Sequence, residues 1–112
     1  MARRGGSAGP VRAPGGGYYL VVHEVLPHRT GRNYFHRILF MDDALDITHV
    51  SPPFKMRDAP IEYVSGLAVL GATVYLTWGE TDKKAYLTQI PLTDFDAYCK
   101  HDGPVAVFGD AT

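Results

Sequence analysis

Residues 63–78 read YVSGLAVL, then Gly71-Ala72, then TVYLTW, and this stretch decides the fold. Two runs rich in β-branched and aromatic residues flank a two-residue linker whose first member is glycine. That is the composition of a type II′ hairpin turn, because only glycine enters its first position without strain. The turn fixes a register in which Leu70 faces Thr73, Ala68 faces Tyr75 and Gly66 faces Thr77. Carried further, it predicts Glu62 opposite Thr81, close to Asp82.

Similar runs lie on both sides. Upstream, residues 18–26 (YYLVVHEVL) read as a strand that Pro27 ends, and residues 28–33 (HRTGRN) as a polar loop. Residues 34–41 (YFHRILFM) form the next strand, followed by a turn at Asp42–Asp43 and a shorter strand over residues 46–50. Ser51-Pro52-Pro53 breaks the sheet, since consecutive prolines remove two ladder donors. Downstream, residues 80–83 (ETDK) turn the chain into residues 84–90 (KAYLTQI), which Pro91 closes. Thr93 reads as the N-cap of one helical turn over residues 94–100, with Asp94 and Asp96 near its positive end. About six strands and almost no helix give an antiparallel all-β body over residues 18–112.

Residues 1–17 differ in kind. They hold six of the twelve glycines, two prolines and three arginines, with no acidic or aromatic residue. Such a segment buries too little apolar surface to offset its ordering entropy, so a disordered tail is expected. It has no apolar core of the kind a secretory signal needs.

The whole chain has 112 residues and a net charge of −1. Without the three tail arginines, eight basic residues face twelve acidic ones, a net of −4. That sign opposes nucleic-acid binding, which needs clustered Lys and Arg. No apolar run approaches the roughly 18 residues of a membrane span, so no membrane partner is expected. The single cysteine, Cys99, allows no internal disulfide, and a cytoplasmic setting is expected. His23, His28, His36, His49 and His101 show no tight ligand spacing, so neither a metal nor another cofactor is expected. Cys99 has no evident base partner and reads as a small packed residue.

Several short motifs occur in order: His23-Glu24-Val25, Tyr34-Phe35-His36-Arg37, Val50-Ser51-Pro52-Pro53-Phe54, Ile61-Glu62-Tyr63-Val64-Ser65-Gly66-Leu67-Ala68, Trp78-Gly79-Glu80-Thr81-Asp82 and Ile90-Pro91-Leu92. Together they resemble the C-terminal part of the five-bladed β-propeller carbohydrate-active enzymes, nearest the mannoside phosphorylase and mannosidase group. Similar propeller modules also occur fused to glycosyltransferases. The resemblance covers roughly residues 18–98 and implies about two blades of an incomplete propeller. In that family the catalytic acid lies upstream of the matching portion. The resemblance therefore implies a sugar-binding fragment without activity of its own. A carbohydrate or glycoside is the implied ligand, with inorganic phosphate as a second ligand if the phosphorylase relationship holds.

Four residues follow as candidate substrate contacts. His23 and Glu24 are adjacent on a strand and point to opposite faces, so only one can face a pocket. The resemblance favours His23 as a phosphate or sugar contact, against a histidine satisfied at a sheet surface. Asp82 is either a turn residue bonding its own backbone or, as the resemblance implies, a carboxylate facing the sugar. Glu62 would stand near it, and two carboxylates about 5–10 Å apart are the machinery of glycoside hydrolysis. The resemblance does not make Glu62 the catalytic acid, which leaves substrate hydrogen bonding or a structural contact. Trp78 and Tyr75 lie on opposite faces of one strand. Core is the reading for Tyr75, while Trp78, beside the turn, is open to either core or sugar stacking. Finally, blades bury both faces, so a chain with two of them is expected to self-associate or to pair with further blades.

Overall fold

The computed structural model describes residues 3–28, 31–57, 62–80, 84–101 and 106–107. It is an antiparallel all-β structure of two sheets with one short helix. The first sheet begins as a meander of β1 (Arg3–Arg12), β2 (Tyr18–His28), β3 (Gly31–Met41) and β4 (Ile47–Val50). After the Ser51–Pro53 break, β5 (Phe54–Lys55) returns to the same edge of β3, placing Phe54 opposite His36. The second sheet is a three-stranded meander of β6 (Glu62–Leu70), β7 (Thr73–Glu80) and β8 (Lys84–Pro91). Helix α1 (Leu92–Cys99) follows directly, and β9 (Ala106–Val107) runs parallel to β5.

The hairpin register near the turn is as the sequence predicts. Leu70 pairs with Thr73, Ala68 with Tyr75 and Gly66 with Thr77, and Gly71 takes φ +60° at the turn's first position. Farther out a β-bulge intervenes. Ser65 is the extra residue, so Val64 opposes Trp78 and Glu62 opposes Glu80, not Thr81. The Ser65 hydroxyl lies 3.2 Å from both the carbonyl oxygen and the Oγ1 of Thr77. One inserted residue exchanges the faces of a strand. Leu67 and Val69 pack inward on one side of the bulge, and Glu62 and Val64 are buried on the other.

The expected disordered tail does not hold for the described residues of segment 1–17. Arg3–Arg12 pairs antiparallel with β2, from Arg3 opposite Val25 to Arg12 opposite Tyr18. Glycine and proline leave the strand irregular at Gly9–Pro10, but the edge of β2 supplies its ladder, and Ala8 and Ala13 are buried. The turn into β2 is tied down from outside. Asp43 accepts the Gly17 N–H at 2.8 Å and pairs with the Arg12 guanidinium at 2.8 Å. Gly17 has φ +79°, and a Cβ there would collide with the Phe40 ring and the Met41 carbonyl.

Two boundaries also differ from expectation. Strand β2 runs through Pro27 to His28, and β3 begins at Gly31, so much of the expected polar loop is ladder. Among the described residues the pairing with β1 ends at Val25, short of Pro27, and proline is tolerated where only one neighbouring strand pairs. The helix starts at Leu92 with Pro91 as its N-cap residue, not at Thr93, and no side chain caps it. The first free N–H, that of Leu92, instead donates to the Ala72 carbonyl in the hairpin turn at 2.8 Å.

The two sheets share one core. Strand β6 lies against β1, β2 and β3, while α1 packs on β3, β7 and β8. Tyr19, Val21, Ile38 and Phe54 from the first sheet meet Val64, Val74, Leu76 and Trp78 from the second. Phe95 and Cys99, one helical turn apart on α1, are fully buried against them. Among the described residues no helix is long and apolar enough to cross a membrane.

Candidate functional site

Two polar centres stand out, one sealed and one open. The sealed centre lies where β2, β3, β5 and β6 meet. The bulge turns Glu62 inward to zero exposure, and its carboxylate accepts the backbone N–H groups of Met56 and Arg57, the latter at 3.1 Å. His36 is equally buried, its Nδ1 3.7 Å from Glu62 Oε1, too long for a hydrogen bond. Neither ring nitrogen of His36 has a hydrogen-bond partner. Burial chiefly, helped by the nearby His23 and Lys55, drives its pKa down to about 4, although the backbone of Phe54 and Glu62 pulls the other way. His36 is therefore neutral at pH 7. On the opposite face of the same strands, Glu24 is paired with Arg37, which also donates to the Ser51 carbonyl at 3.0 Å. The Lys55 ammonium sits 5.0 Å over the Phe35 ring.

These placements decide what the sequence candidates can do. Glu62 is a structural contact that holds the backbone after β5, with no surface left for a substrate. His23 is half-buried, its ring 5.9 Å from that of Tyr34, and burial lowers its pKa. Trp78 is 2% exposed, stacked on Tyr86 at 4.4 Å, and donates its indole N–H to Thr88 Oγ1 at 2.9 Å. It belongs to the core, and Tyr75 is the half-buried one of the two. Asp82 lies outside the described residues. His23 and Glu62 thus flank the same buried histidine, and Trp78 pairs with Val64, two residues along β6 from Glu62.

The open centre is a cleft of about 400 Å³ between the turn that joins β1 to β2 and the exposed side of α1. Ala13, Pro14, Phe40 and Leu92 supply its apolar walls, and Gly15 and Gly16 its side-chain-free rim. Its polar groups are Tyr19, Thr93, Asp96 and Lys100. The Tyr19 hydroxyl donates to Asp96 Oδ1 at 2.5 Å, and the Lys100 ammonium reaches the same oxygen at 3.0 Å. Lys100 also stands 4.6 Å over the Phe40 ring. Burial alone would raise the Asp96 pKa, but Tyr19, Lys100 and the field of His49 outweigh it, and the carboxyl stays below its ordinary value. Burial, then the bond to Asp96, raises the Tyr19 pKa, so the phenol remains a donor.

Sequence reasoning singled out none of Tyr19, Asp96 and Lys100 as site residues. The Asp96–Lys100 spacing, acid one helical turn before base, was the available signal. The tyrosine that completes the group is 77 positions away and carried none. Cys99, next to Asp96 but facing the core, has its thiol pushed up to about 12 by burial and donates weakly to the Ile38 carbonyl. Among the described residues no group of His, Cys, Asp or Glu is placed to hold a metal. No known protein family, curated protein or solved structure matches the chain.

Proposed function

We propose that the chain is a non-catalytic carbohydrate-binding β-module, built like two consecutive blades of the five-bladed propeller enzymes that its motifs resemble. The observation that carries this reading is the succession of two antiparallel meanders, β1–β4 and β6–β8, packed over a common core. Propeller blades are such meanders, usually of four strands. The non-catalytic half draws on the carboxylates. Glycoside hydrolysis needs two of them exposed to one bond, whereas Glu62 and Glu24 are buried and committed to backbone N–H groups and to Arg37. Inorganic phosphate remains the second ligand that a phosphorylase relationship would bring. The free, fully buried Cys99 is compatible with a reducing, cytoplasmic setting.

A second reading is an interaction module working through open strand edges. Strand β4 favours it: all four residues are exposed, with Ile47 at 54% and Val50 at 41%. Such an edge can template pairing with another copy or with further blades.

A glycan array and a turnover assay on the full chain test the first reading. Retention of at least one class of neutral oligosaccharide is expected, without cleavage of aryl-mannosides or phosphorolysis of manno-oligosaccharides. Turnover abolished by Asp82→Asn or Glu62→Gln would make the chain an enzyme. An empty array, with light scattering showing stable oligomers, would move the assignment to the interaction module.

A further inference from the structure

The cleft beside α1 has a charge pattern that narrows what it can hold. Its lining contains two charged side chains, Asp96 and Lys100, and they are paired with each other. Two further charges behind the glycine rim, Arg12 and Asp43, are also paired with each other. An anion drawn to Lys100 would meet the Asp96 carboxylate beside it, and a cation drawn to Asp96 would meet the Lys100 ammonium, so either faces a like charge at close range.

A neutral hydroxyl group meets no like charge. Tyr19 and Lys100 both contact Oδ1 of Asp96, so Oδ2 is left to accept from an incoming hydroxyl. The ammonium has three donors and uses one on Asp96. The Thr93 hydroxyl stands on the exposed first turn of the helix at the cleft's edge. Acceptor, donor and a group able to do both thus surround apolar walls formed by Ala13, Pro14, Phe40 and Leu92. At φ +89° Gly15 carries no side chain, and a Cβ built there meets nothing within 4 Å, so the rim is open. About 400 Å³ lies near the low end of the roughly 300–1,000 Å³ typical of small-molecule sites.

We propose that this cleft binds a neutral, hydroxyl-rich molecule of about one sugar ring, held by Asp96, Lys100 and Thr93. Its carbohydrate identity rests on the function proposed above, whereas its place and its neutrality rest on the cleft alone. The probes are methyl α-mannoside, methyl α-glucoside, myo-inositol, glucuronate and inorganic phosphate, titrated into the full chain and followed by amide chemical shifts. A neutral sugar is expected to shift Gly15, Gly16, Thr93 and Asp96 saturably, and to do so at least tenfold more tightly than glucuronate or phosphate.

Two variants separate binding from folding. Asp96→Asn removes the acceptor charge and is expected to weaken binding at least tenfold. Thr93→Trp fills the cleft from an exposed position, outside the Tyr19–Asp96–Lys100 network, and is expected to abolish binding while the remaining amide spectrum stays native. Binding of myo-inositol without any saccharide would keep the cleft and overturn the carbohydrate reading. Sugar-induced shifts elsewhere, insensitive to Thr93→Trp, would keep the carbohydrate reading and overturn the cleft. Preference for phosphate or glucuronate, or no response to any probe, would overturn the cleft proposal.

Discussion

His36 shows how one buried side chain links the core to solution pH. Its ring is fully buried against Phe54, with both nitrogens unpartnered and a pKa near 4. The unfolded chain has the ordinary histidine value of about 6.5 and takes up a proton below it, while the folded chain does not until about pH 4. The contribution is therefore present above pH 6.5, is lost progressively as the pH falls, and is gone near pH 4. Its size is roughly 3 kcal/mol. His36→Phe replaces unpartnered nitrogens by apolar atoms of similar shape, which costs little at pH 7. Urea unfolding of that variant is expected to show a flatter stability profile between pH 6.5 and 4. Equal slopes in variant and wild type would mean that His36 is not the titrating group. Neither the burial of His36 nor the inward turn of Glu62 was legible in sequence. The turn of Glu62 depends on one bulged serine, and Ser65 looks like any polar residue on a strand.

At the level of elements, what could be read followed what is locally encoded. The Gly71-Ala72 turn is legible because glycine alone satisfies its backbone, and the register follows from it until the bulge. Strand β1 is illegible for the opposite reason. Its Gly, Pro and Arg composition argues for disorder, and its order comes from elsewhere: the β2 edge, and Asp43 holding both Gly17 and Arg12. The cleft shares that difficulty, because its rim and its helix meet only through tertiary packing. Proteolysis distinguishes a paired strand from a tail. The Arg12 side chain is more than half exposed, yet its backbone lies in the β1–β2 ladder, and cleavage needs the strand to open first. Limited trypsin digestion of the native chain is expected to spare the Arg12–Ala13 bond, and Asp43→Ala to speed its cutting severalfold by releasing the turn. Rapid cutting after Arg12 in the wild type would return this segment to a tail.

For the whole molecule, the question is whether two sheets make two units or one. Blades in a ring are separate sheets, and a pair of them could unfold in turn. Here the apolar residues of both sheets form a single cluster, with Tyr19, Ile38 and Phe54 facing Val64, Leu76 and Trp78 and with Phe95 and Cys99 packed between sheet and helix. Strand β6 crosses onto three strands of the other sheet, and α1 is wedged on both. Separating the sheets would expose this cluster to water, at about 25 cal/mol per Å² of apolar area. Among the described residues neither sheet has another buried apolar cluster, so the loss of one removes the support of the other. Unfolding is therefore expected to be one cooperative transition. Trp78 reports the second sheet, since its indole is buried between Thr88 and Tyr86. Far-ultraviolet circular dichroism reports both sheets together. The two signals are expected to follow one urea curve with a common midpoint. A Trp78 transition separated from the dichroism curve would show that β6–β8 unfolds on its own, and that the sheets are independent blades resting side by side.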